Sequence, residues 1–327
     1  MANILTYKDV KEQSETVFRQ FGESKWLPFT AQNAKLTHRN GRDLANVGIG
    51  RVAVSAVMGA SLEKNIDAMI KYRDRYDLIT NDKCFGILLE HGLKADYVVL
   101  CDCNIPYRWI EKYIPETKDV KLIANCYANP EWTTAWLGER YFFINRDSLE
   151  SEKKFLKIMP ANTMTIPAGS NVSNAIMCFF LNIDEKSSIN FAGYEHIFLV
   201  GYDYCWKPDG SYYAFANPVP KRNYMNNRTL LDFNGDIVFT SENLFFSAKW
   251  LYSYLTAHRL PYVWNCSGSG LLDIPHKANL AKMLDRVNAD PEYRKQILTE
   301  LEAVKKAKRD FEGTVAQFEK SRGGIFK

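Results

Sequence analysis

Two loops of small residues have the composition of phosphate-binding turns. Each leads into a helical pattern, so its backbone N–H groups and the positive end of the helix dipole would be turned towards an anion. The residues concerned are Gly59, Ala60 and Ser61 in the first loop, and Gly169, Ser170, Asn171 and Ser173 in the second. The geometry of the first loop suits a phosphate, and the second is a similar small-residue loop that opens a helix.

Other polar residues follow apolar runs at the points where strands should end. They are Asn81 and Asp82, Asp102 and Asn104, Asn125, Asp203, and the group that includes Ser267 and Gly268. In an open parallel sheet, ligands bind in the crevice at the carboxyl ends of the strands. A single turn or cap residue of this kind is common in any protein. Their coincidence at successive strand ends is what predicts a site.

Seven short apolar runs are the candidate strands that would position these residues. They occupy residues 51–58, 76–80, 97–101, 120–124, 141–144, 197–200 and 262–264. Amphipathic stretches lie between them, such as the one in which Leu62, Ile66, Met69 and Ile70 share a face behind Ser61 as the N-cap. Strands that alternate with helices predict an α/β fold with a doubly wound, mostly parallel, Rossmann-like sheet.

The pattern divides the chain into three expected segments. Residues 1–50 are polar and weakly periodic, and we expect an N-terminal extension packed loosely on the core; residues 51–275 form the Rossmann-like domain, and residues 276–327 a C-terminal helical segment. The last segment carries an apolar stripe at Ile297, Leu301, Val304, Phe311, Val315 and Phe318. Such a stripe is typical of a helix packed on its own domain or of a homo-oligomer contact through residues 290–327.

Composition limits the partners and the compartment. A net charge of +4 over 327 residues does not indicate a nucleic-acid partner. No apolar run reaches the roughly 18–20 residues that a membrane span needs, and the first 23 residues lack the apolar stretch of a signal peptide. Most of the seven cysteines lie in or beside apolar runs, as buried thiols do in a reducing compartment. We therefore expect a cytoplasmic protein.

Residues of about 51–275 resemble the family that groups archaeal 6-hydroxymethylpterin pyrophosphokinases with the motility-associated-factor glycosyltransferases that modify flagellin. The stretches that carry the resemblance are residues 58–65, 91–102, 169–173, 197–203 and 265–270. The order and spacing of these five motifs make the match specific. Neither G-x-x-x-x-G-K-[ST] nor G-x-S-x-G occurs in the sequence, which argues against a P-loop enzyme and an α/β-hydrolase.

A more distant likeness is to bacterial sialyltransferases with a Rossmann-like fold. Residues 201–204 and 211–215 are similar to the tyrosine-bearing lid of those enzymes, and Thr240 stands where they have a histidine general base. Threonine cannot act as a base at neutral pH. The likeness therefore leaves the general base of this chain unassigned.

The resemblance implies a nucleotide site at the strand ends. The two small-residue loops would hold phosphates, Tyr212 and Tyr213 would close over the nucleotide, and Lys207, Lys221 or Arg222 would offset the charge of the leaving group. Asn81 and Asn125 would contact the ribose or the base, and Asn104, Ser267 and Gly268 would also belong to the nucleotide site.

The resemblance also implies that Asp102 and Asp203 are the carboxylates that perform the chemistry. In a glycosyltransferase, one of them would act as a base or orient the acceptor hydroxyl. In a pyrophosphokinase, the pair would hold Mg²⁺ between the phosphates of ATP.

Three functions follow as alternatives. The first is a glycosyltransferase that uses a nucleotide-activated sugar, such as a CMP-nonulosonic acid, and a sugar or protein acceptor, with no required cofactor. The second is a diphosphotransferase that uses ATP and Mg²⁺ on a pterin. The third is a non-catalytic binding or assembly protein on the same fold. The similarity of residues 211–215 to a lid favours the first.

Overall fold

The structure is a computed structural model that describes residues 22–146, 149–167, 169, 171–181, 191–216, 227–258 and 260–287, with Glu292, Lys295 and Thr299. Its strands are β1 (Arg39–Asn40), β2 (Val52–Ala56), β3 (Tyr76–Asn81), β4 (Tyr97–Leu100), β5 (Lys121–Asn125), β6 (Arg140–Arg146), β7 (Met164–Pro167), β8 (His196–Val200), β9 (Asn227–Leu231), β10 (Ile237–Ser241) and β11 (Val263–Asn265). All seven predicted strands are present.

The helices alternate with these strands. They are α1 (Leu27–Asn33), α2 (Ile66–Lys71), α3 (Asp82–Glu90), α4 (Pro130–Ala135), α5 (Leu149–Leu156), α6 (Val172–Leu181), α7 (Glu242–Ala257) and α8 (Leu280–Asp285). Short 3₁₀ turns include Ala60–Asn65 before α2 and Glu111–Asp119 before β5. Within the described ranges, no helix has the length and apolarity needed to cross a membrane.

The main sheet is parallel, with the strand order β1-β6-β5-β4-β3-β2-β8-β11, and β7 also pairs with β6. Side chains alternate between its two faces, because successive residues of a strand point to opposite sides. Val52, Val54 and Ala56 of β2 join the core beneath α2 and α3, while Ala53 and Val57 join the core beneath α6 and α7. The predicted α/β class with a doubly wound, mostly parallel sheet is confirmed.

Residues 22–50 are part of this core, which corrects the expectation of a loosely packed extension. Strand β1 extends the sheet beside β6. The side-chain amide of Asn33 on α1 donates to the backbone oxygens of Cys126 at 2.8 Å and Ala128 at 2.9 Å. The polar composition of this segment suggested loose packing. In the structure, its polar side chains satisfy buried backbone groups after β5. A boundary at residue 50 therefore does not separate the described residues from the sheet.

Two other local expectations also differ from the structure. The turn after β2 is a 3₁₀ helix whose N-cap is Gly59, without a side-chain cap, and the predicted cap Ser61 bonds elsewhere. Ile70 is exposed, although Leu62, Ile66 and Met69 are buried as predicted. At the other end, Leu280 and Leu284 of α8 are fully buried in the core. The apolar stripe from Ile297 and the oligomer contact predicted for residues 290–327 lie outside the described residues.

Strands β9 and β10 form an antiparallel hairpin that the apolar pattern did not predict. Only the sequence Asn234-Gly235, at the turn where Gly235 has φ of +86°, signals a hairpin. The hairpin connects to the main sheet by way of Trp206, whose backbone pairs with Phe239. It brings a second wall to the carboxyl ends of β8 and β11.

Candidate functional site

The direction of winding reverses between β2 and β8. The chain continues from β2 through β3, β4, β5 and β6 on one side, and places β8 and β11 on the other. A crevice opens at such a switch point, outside the carboxyl ends of the two neighbouring strands. The loops after β2 and β8 therefore face each other there, and they contain the predicted residues Gly59, Ala60, Ser61 and Asp203.

Glycines allow these two loops to touch. The N–H of Gly59 donates to the carbonyl of Gly201 at 3.1 Å. A Cβ on Gly59 would lie 2.2 Å from that carbonyl oxygen, and one on Gly201 would lie 2.0 Å from the carbonyl oxygen of Val57. Gly201 also has φ of +76°, where other residues are strained. Both positions need glycine for a backbone-to-backbone approach.

Asp203 is held in this contact as a buried carboxylate. Its Oδ2 accepts a hydrogen bond from the N–H of Ser61 at 2.8 Å, and its Oδ1 accepts one from the Ser61 hydroxyl. Burial raises the pKa of Asp203 to about 6, while the bonds from Ser61 and the charges of Lys64 and Lys207 act in the opposite direction. The carboxylate is therefore mostly ionised at neutral pH.

The same contact changes the role of the first small-residue loop. The N–H of Ser61 was expected to face a phosphate, and in the structure it is bonded to Asp203. Gly59, Ala60 and Ser61 thus stand at the switch point, but their main polar contact is with the loop after β8. Positive charge beside them comes from the Lys64 and Lys207 side chains.

A cavity of about 460 Å³ opens next to Asp203. Its walls come from the turn after β2, the loops after β8 and β11, and the β9–β10 hairpin. Charged residues in the lining are Glu63, Lys64, Asp203, Lys207, Asp232 and Asp236; Trp206, Tyr213, Ile237 and Val238 supply apolar surface, and Ser269 and Gly270 the floor near β11. We call this the switch-point cavity.

Residues 211–216 form a strap across the turn after β2. Tyr213 pairs with Gly59, and the N–H of Ala214 donates to the carbonyl of Met58 at 3.0 Å. The rings of Tyr212 and Tyr213 are 4.2 Å apart, and Tyr212 packs against Trp206 at 5.5 Å. Of the two predicted lid tyrosines, Tyr213 lines the switch-point cavity. Lys221 and Arg222 lie outside the described residues.

The loop after β11 supports the backbone of the loop after β8. The hydroxyl of Ser267 accepts a bond from the N–H of Tyr202 at 3.1 Å, and Ser267 is buried. Gly268 faces open space, with φ of +77°. The cavity lining includes the next two residues, Ser269 and Gly270, in place of the predicted Ser267 and Gly268.

The second small-residue loop caps α6. Asn171 accepts from the N–H of Asn174 at 2.9 Å, and the side chain of Asn174 donates to the carbonyl of Gly169. Tyr204, which follows β8, donates to Asn174 at 2.6 Å, and the hydroxyl of Tyr202 donates to the carbonyl of Ser173 at 3.4 Å. This loop is therefore tied to the segment that contains Asp203. Ser170 lies outside the described residues.

On the β3–β5 side, three predicted residues have local structural partners. Asn81 caps α3 by accepting a bond from the N–H of Cys84 at 3.0 Å. Asp102 is exposed and accepts from the N–H of Asn104 at 2.7 Å, while Lys25 donates to the side chain of Asn104. Asn81, Asp102 and Asn104 thus lie at adjacent strand ends, as predicted.

Two other side chains on this side have buried polar atoms with no hydrogen-bond partner among the described residues. Asn125 is fully buried, and neither atom of its amide has a hydrogen-bond partner in the described part of the chain. Asp82 is 5% exposed, and its Oδ1 also has no partner there. Burial raises the pKa of Asp82 to about 7, and the charge of Asp102 adds to the increase. Asp82 follows a predicted strand but is not among the predicted site residues.

The structure does not bring Asp102 and Asp203 together as ligands of one Mg²⁺. They follow β4 and β8, which are three strand positions apart, or roughly 14 Å at about 4.8 Å per strand. Among the residues described, no group of three or more His, Cys, Asp or Glu side chains is arranged to hold a metal ion. Thr240, at the place of the sialyltransferase histidine, is buried and donates to the carbonyl of Tyr204 at 2.7 Å.

Comparisons with known proteins agree with this geometry. The family model described as "6-hydroxymethylpterin diphosphokinase MptE-like" matches residues 30–209, more than half of the chain. The solved structure of the MAf glycosyltransferase from Magnetospirillum magneticum AMB-1 has the same fold, with a TM-score of 0.59 and 16% sequence identity. The similarity covers 86% of this chain but 42% of that protein, so this chain spans less than half of its length. No curated protein matches the sequence.

Proposed function

This chain belongs to the 6-hydroxymethylpterin diphosphokinase MptE-like family, and we propose that it is a transferase that binds a nucleotide-activated sugar across the carboxyl edge of its sheet. The observation that carries the proposal is the switch-point cavity, where an ionisable buried carboxylate and two lysines meet at the reversal of strand order. Ligands of open α/β sheets bind at this position.

Of the six charged residues in the cavity, Lys64 and Lys207 are the two that suit a phosphate leaving group. Lys64 and Lys207 both line it and both act on Asp203. Ammonium groups fixed next to the breaking bond stabilise the negative charge that develops on the departing phosphate. Because the N–H of Ser61 is bonded to Asp203, the proposal assigns phosphate binding to the two lysines.

Asp203 is the proposed general base. The acceptor hydroxyl attacks the anomeric carbon, the new C–O bond forms, and the bond from that carbon to the donor phosphate breaks with its electron pair on the nucleotide. Asp203 takes the hydroxyl proton. A base with a pKa of about 6 is ionised at neutral pH and still able to accept a proton as the bond forms.

The donor in this proposal is a cytidine-activated sugar. The sequence likeness of residues 201–204 and 211–215 to the lid of sialyltransferases supports it, as does the position of Tyr213 against Gly59. The family description favours a second candidate, a diphosphotransferase that uses ATP with Mg²⁺ on a pterin. The two candidates differ in nucleotide and in metal requirement.

Thermal unfolding in the presence of CMP, UDP, GDP or ATP, each with and without Mg²⁺, tests the proposal. A ligand at a hundred times its Kd stabilises the native state by about 2.7 kcal/mol. We expect CMP to raise the unfolding temperature without Mg²⁺. A shift with ATP and Mg²⁺ alone would support the diphosphotransferase. No shift with any nucleotide would contradict both and favour a non-catalytic protein.

The double substitution Lys64→Ala and Lys207→Ala should remove most of the shift with CMP. The matched control is the pair Lys153→Ala and Lys157→Ala, two exposed lysines at and just beyond the end of α5 that make the same change in net charge. An equal loss of the shift in both double variants would show a nonspecific charge effect and remove the two cavity lysines from the proposal.

A further inference from the structure

The carboxylate of Asp82 has an unused hydrogen-bonding position at the centre of the carboxyl edge. Asp82 is the first residue of α3 and is 5% exposed. One carboxylate oxygen, Oδ1, has no hydrogen-bond partner anywhere in the described chain. Buried polar atoms in native proteins nearly always have a partner, and an exception calls for an explanation.

The neighbouring residue cannot take over this position. Asn81 uses its side-chain oxygen to cap α3 through the N–H of Cys84. The acceptor that remains at the end of β3 is therefore Oδ1 of Asp82.

Asp82 follows the strand that lies next to β2, the strand that ends in the glycine turn. Strand β3 is the direct neighbour of β2, on the side away from β8. Asp82 follows Gly59 by 23 residues, with one helical segment and one strand between them. In dinucleotide-binding sheets, a carboxylate about 20 residues after the glycine turn, at the end of the adjacent strand, accepts a hydrogen bond from a ribose hydroxyl.

The strap lies next to this position. Tyr213 pairs with Gly59, and Nζ of Lys83, the residue after Asp82, lies 5.7 Å from the centre of the Tyr213 ring. The strap thus spans from the turn that faces Asp203 to the beginning of α3. A nucleotide with its phosphates at the switch-point cavity would extend its nucleoside along the strap towards Asp82.

We propose that Asp82 accepts a hydrogen bond from a ribose hydroxyl of the donor nucleotide and thereby makes the site selective for ribonucleotides over deoxyribonucleotides. This inference rests on the proposed function, because it assigns a specificity residue to the same nucleotide site.

The surroundings of Asp82 make this selectivity dependent on pH. Burial raises the pKa of Asp82 to about 7; Lys83 on its own helix acts against the increase, Asp102 after β4 adds to it, and the buried thiol of Cys84 lies nearby. An ionised carboxylate is a stronger acceptor than a neutral one. The preference for ribose should therefore weaken as the pH falls through 7.

Isothermal titration with CMP, 2′-deoxyCMP and 3′-deoxyCMP tests the inference, repeated with the ribo- and deoxyribonucleotides of whichever base the wild-type protein prefers. We expect at least one deoxynucleotide to bind roughly tenfold more weakly than its ribonucleotide at pH 8, since a hydrogen bond to a charged group is lost. The difference should shrink at pH 5.5. In Asp82→Asn it should fall to about threefold or less at both pH values.

The control variant is Asp67→Asn, which changes an exposed aspartate in the first turn of α2. It should keep the wild-type discrimination. If Asp82→Asn does not fold, the comparison of ribo- and deoxynucleotides with the wild-type protein at two pH values still decides. Equal binding of ribo- and deoxynucleotides, or a discrimination that is the same at both pH values, overturns the inference and leaves the proposed function standing. Absence of binding by every nucleotide overturns both.

Discussion

Two buried carboxylates lie at the carboxyl edge of the sheet, on opposite sides of β2, in contrasting surroundings. Asp203, beside β8, has both oxygens bonded to Ser61 and borders a cavity of about 460 Å³. Asp82, beside β3, has an oxygen without a partner among the described residues, and Asn125 on the same side has an unpaired amide. Burial raises the pKa of both carboxylates.

The different surroundings of Asp203 and Asp82 separate two tasks that the sequence alone does not distinguish. A carboxylate that is oriented by two hydrogen bonds and adjoins open space is suited to act on a reacting group. A buried carboxylate with an unmet hydrogen bond is suited to recognise a ligand that supplies the donor. We accordingly assign chemistry to the β8 side and nucleoside recognition to the β3 side.

The largest effect is expected for Asp203→Asn. Loss of a general base lowers the rate by about 10²–10⁴-fold, while the cavity lysines should keep the affinity for nucleotide within a few-fold. The measurement is the release of CMP from a CMP-activated sugar, with CMP affinity determined in parallel. Asp102→Asn is the companion variant, and a hundredfold loss there with full activity in Asp203→Asn would reverse the assignment.

The contact between the two loops can be broken at Gly201. Gly201→Ala should lower the free energy of unfolding by about 3 kcal/mol or more, because its Cβ would meet the carbonyl oxygen of Val57 at a positive φ. Gly268→Ala is the control, since φ is +77° there but an added Cβ would have no heavy atom within 4 Å apart from its chain neighbours. It should cost about 1 kcal/mol, as expected for a left-handed conformation alone. Similar losses in the two variants, measured by denaturant unfolding, would contradict the close approach.

Asp82→Asn should stabilise the ligand-free protein at high pH. The pKa of Asp82 is raised from 3.8 to about 7, so the native state holds a proton that the unfolded state has lost, and stability falls as the pH rises across that window. The Asp82→Asn variant has no carboxyl group to titrate, so it does not lose this stability as the pH rises. Above pH 7 it should be more stable than the wild type by about 2–4 kcal/mol, from about 1.4 kcal/mol per unit of pKa shift, with no charge-dependent gain below pH 4.

Unfolding curves between pH 4 and pH 8 measure this difference. Asp67→Asn, at an exposed carboxylate, should leave the pH dependence as in the wild type. A constant difference between Asp82→Asn and the wild type at all pH values would mean that Asp82 does not titrate as a buried group.

The family and the strand layout were accessible from the sequence because they depend on local composition. All seven apolar runs became strands of the sheet, since side chains buried on both faces must be apolar along the whole run. The five ordered motifs led to the family that the family model confirms. Polar or very short elements escaped this signal, as the two-residue strand β1 and the β9–β10 hairpin demonstrate.

What the sequence alone determined is which residues stand at the carboxyl ends of the strands, because chain order and apolar periodicity fix where each strand stops. Only the tertiary structure decided which of these ends are neighbours. It placed Asp203 against Ser61 and far from Asp102, made Asn81 a helix cap, and left Asp82 and Asn125 with unmet hydrogen bonds among the described residues. The physical reason is that strand order and hydrogen-bond partners arise from long-range packing, which no local pattern in the chain encodes.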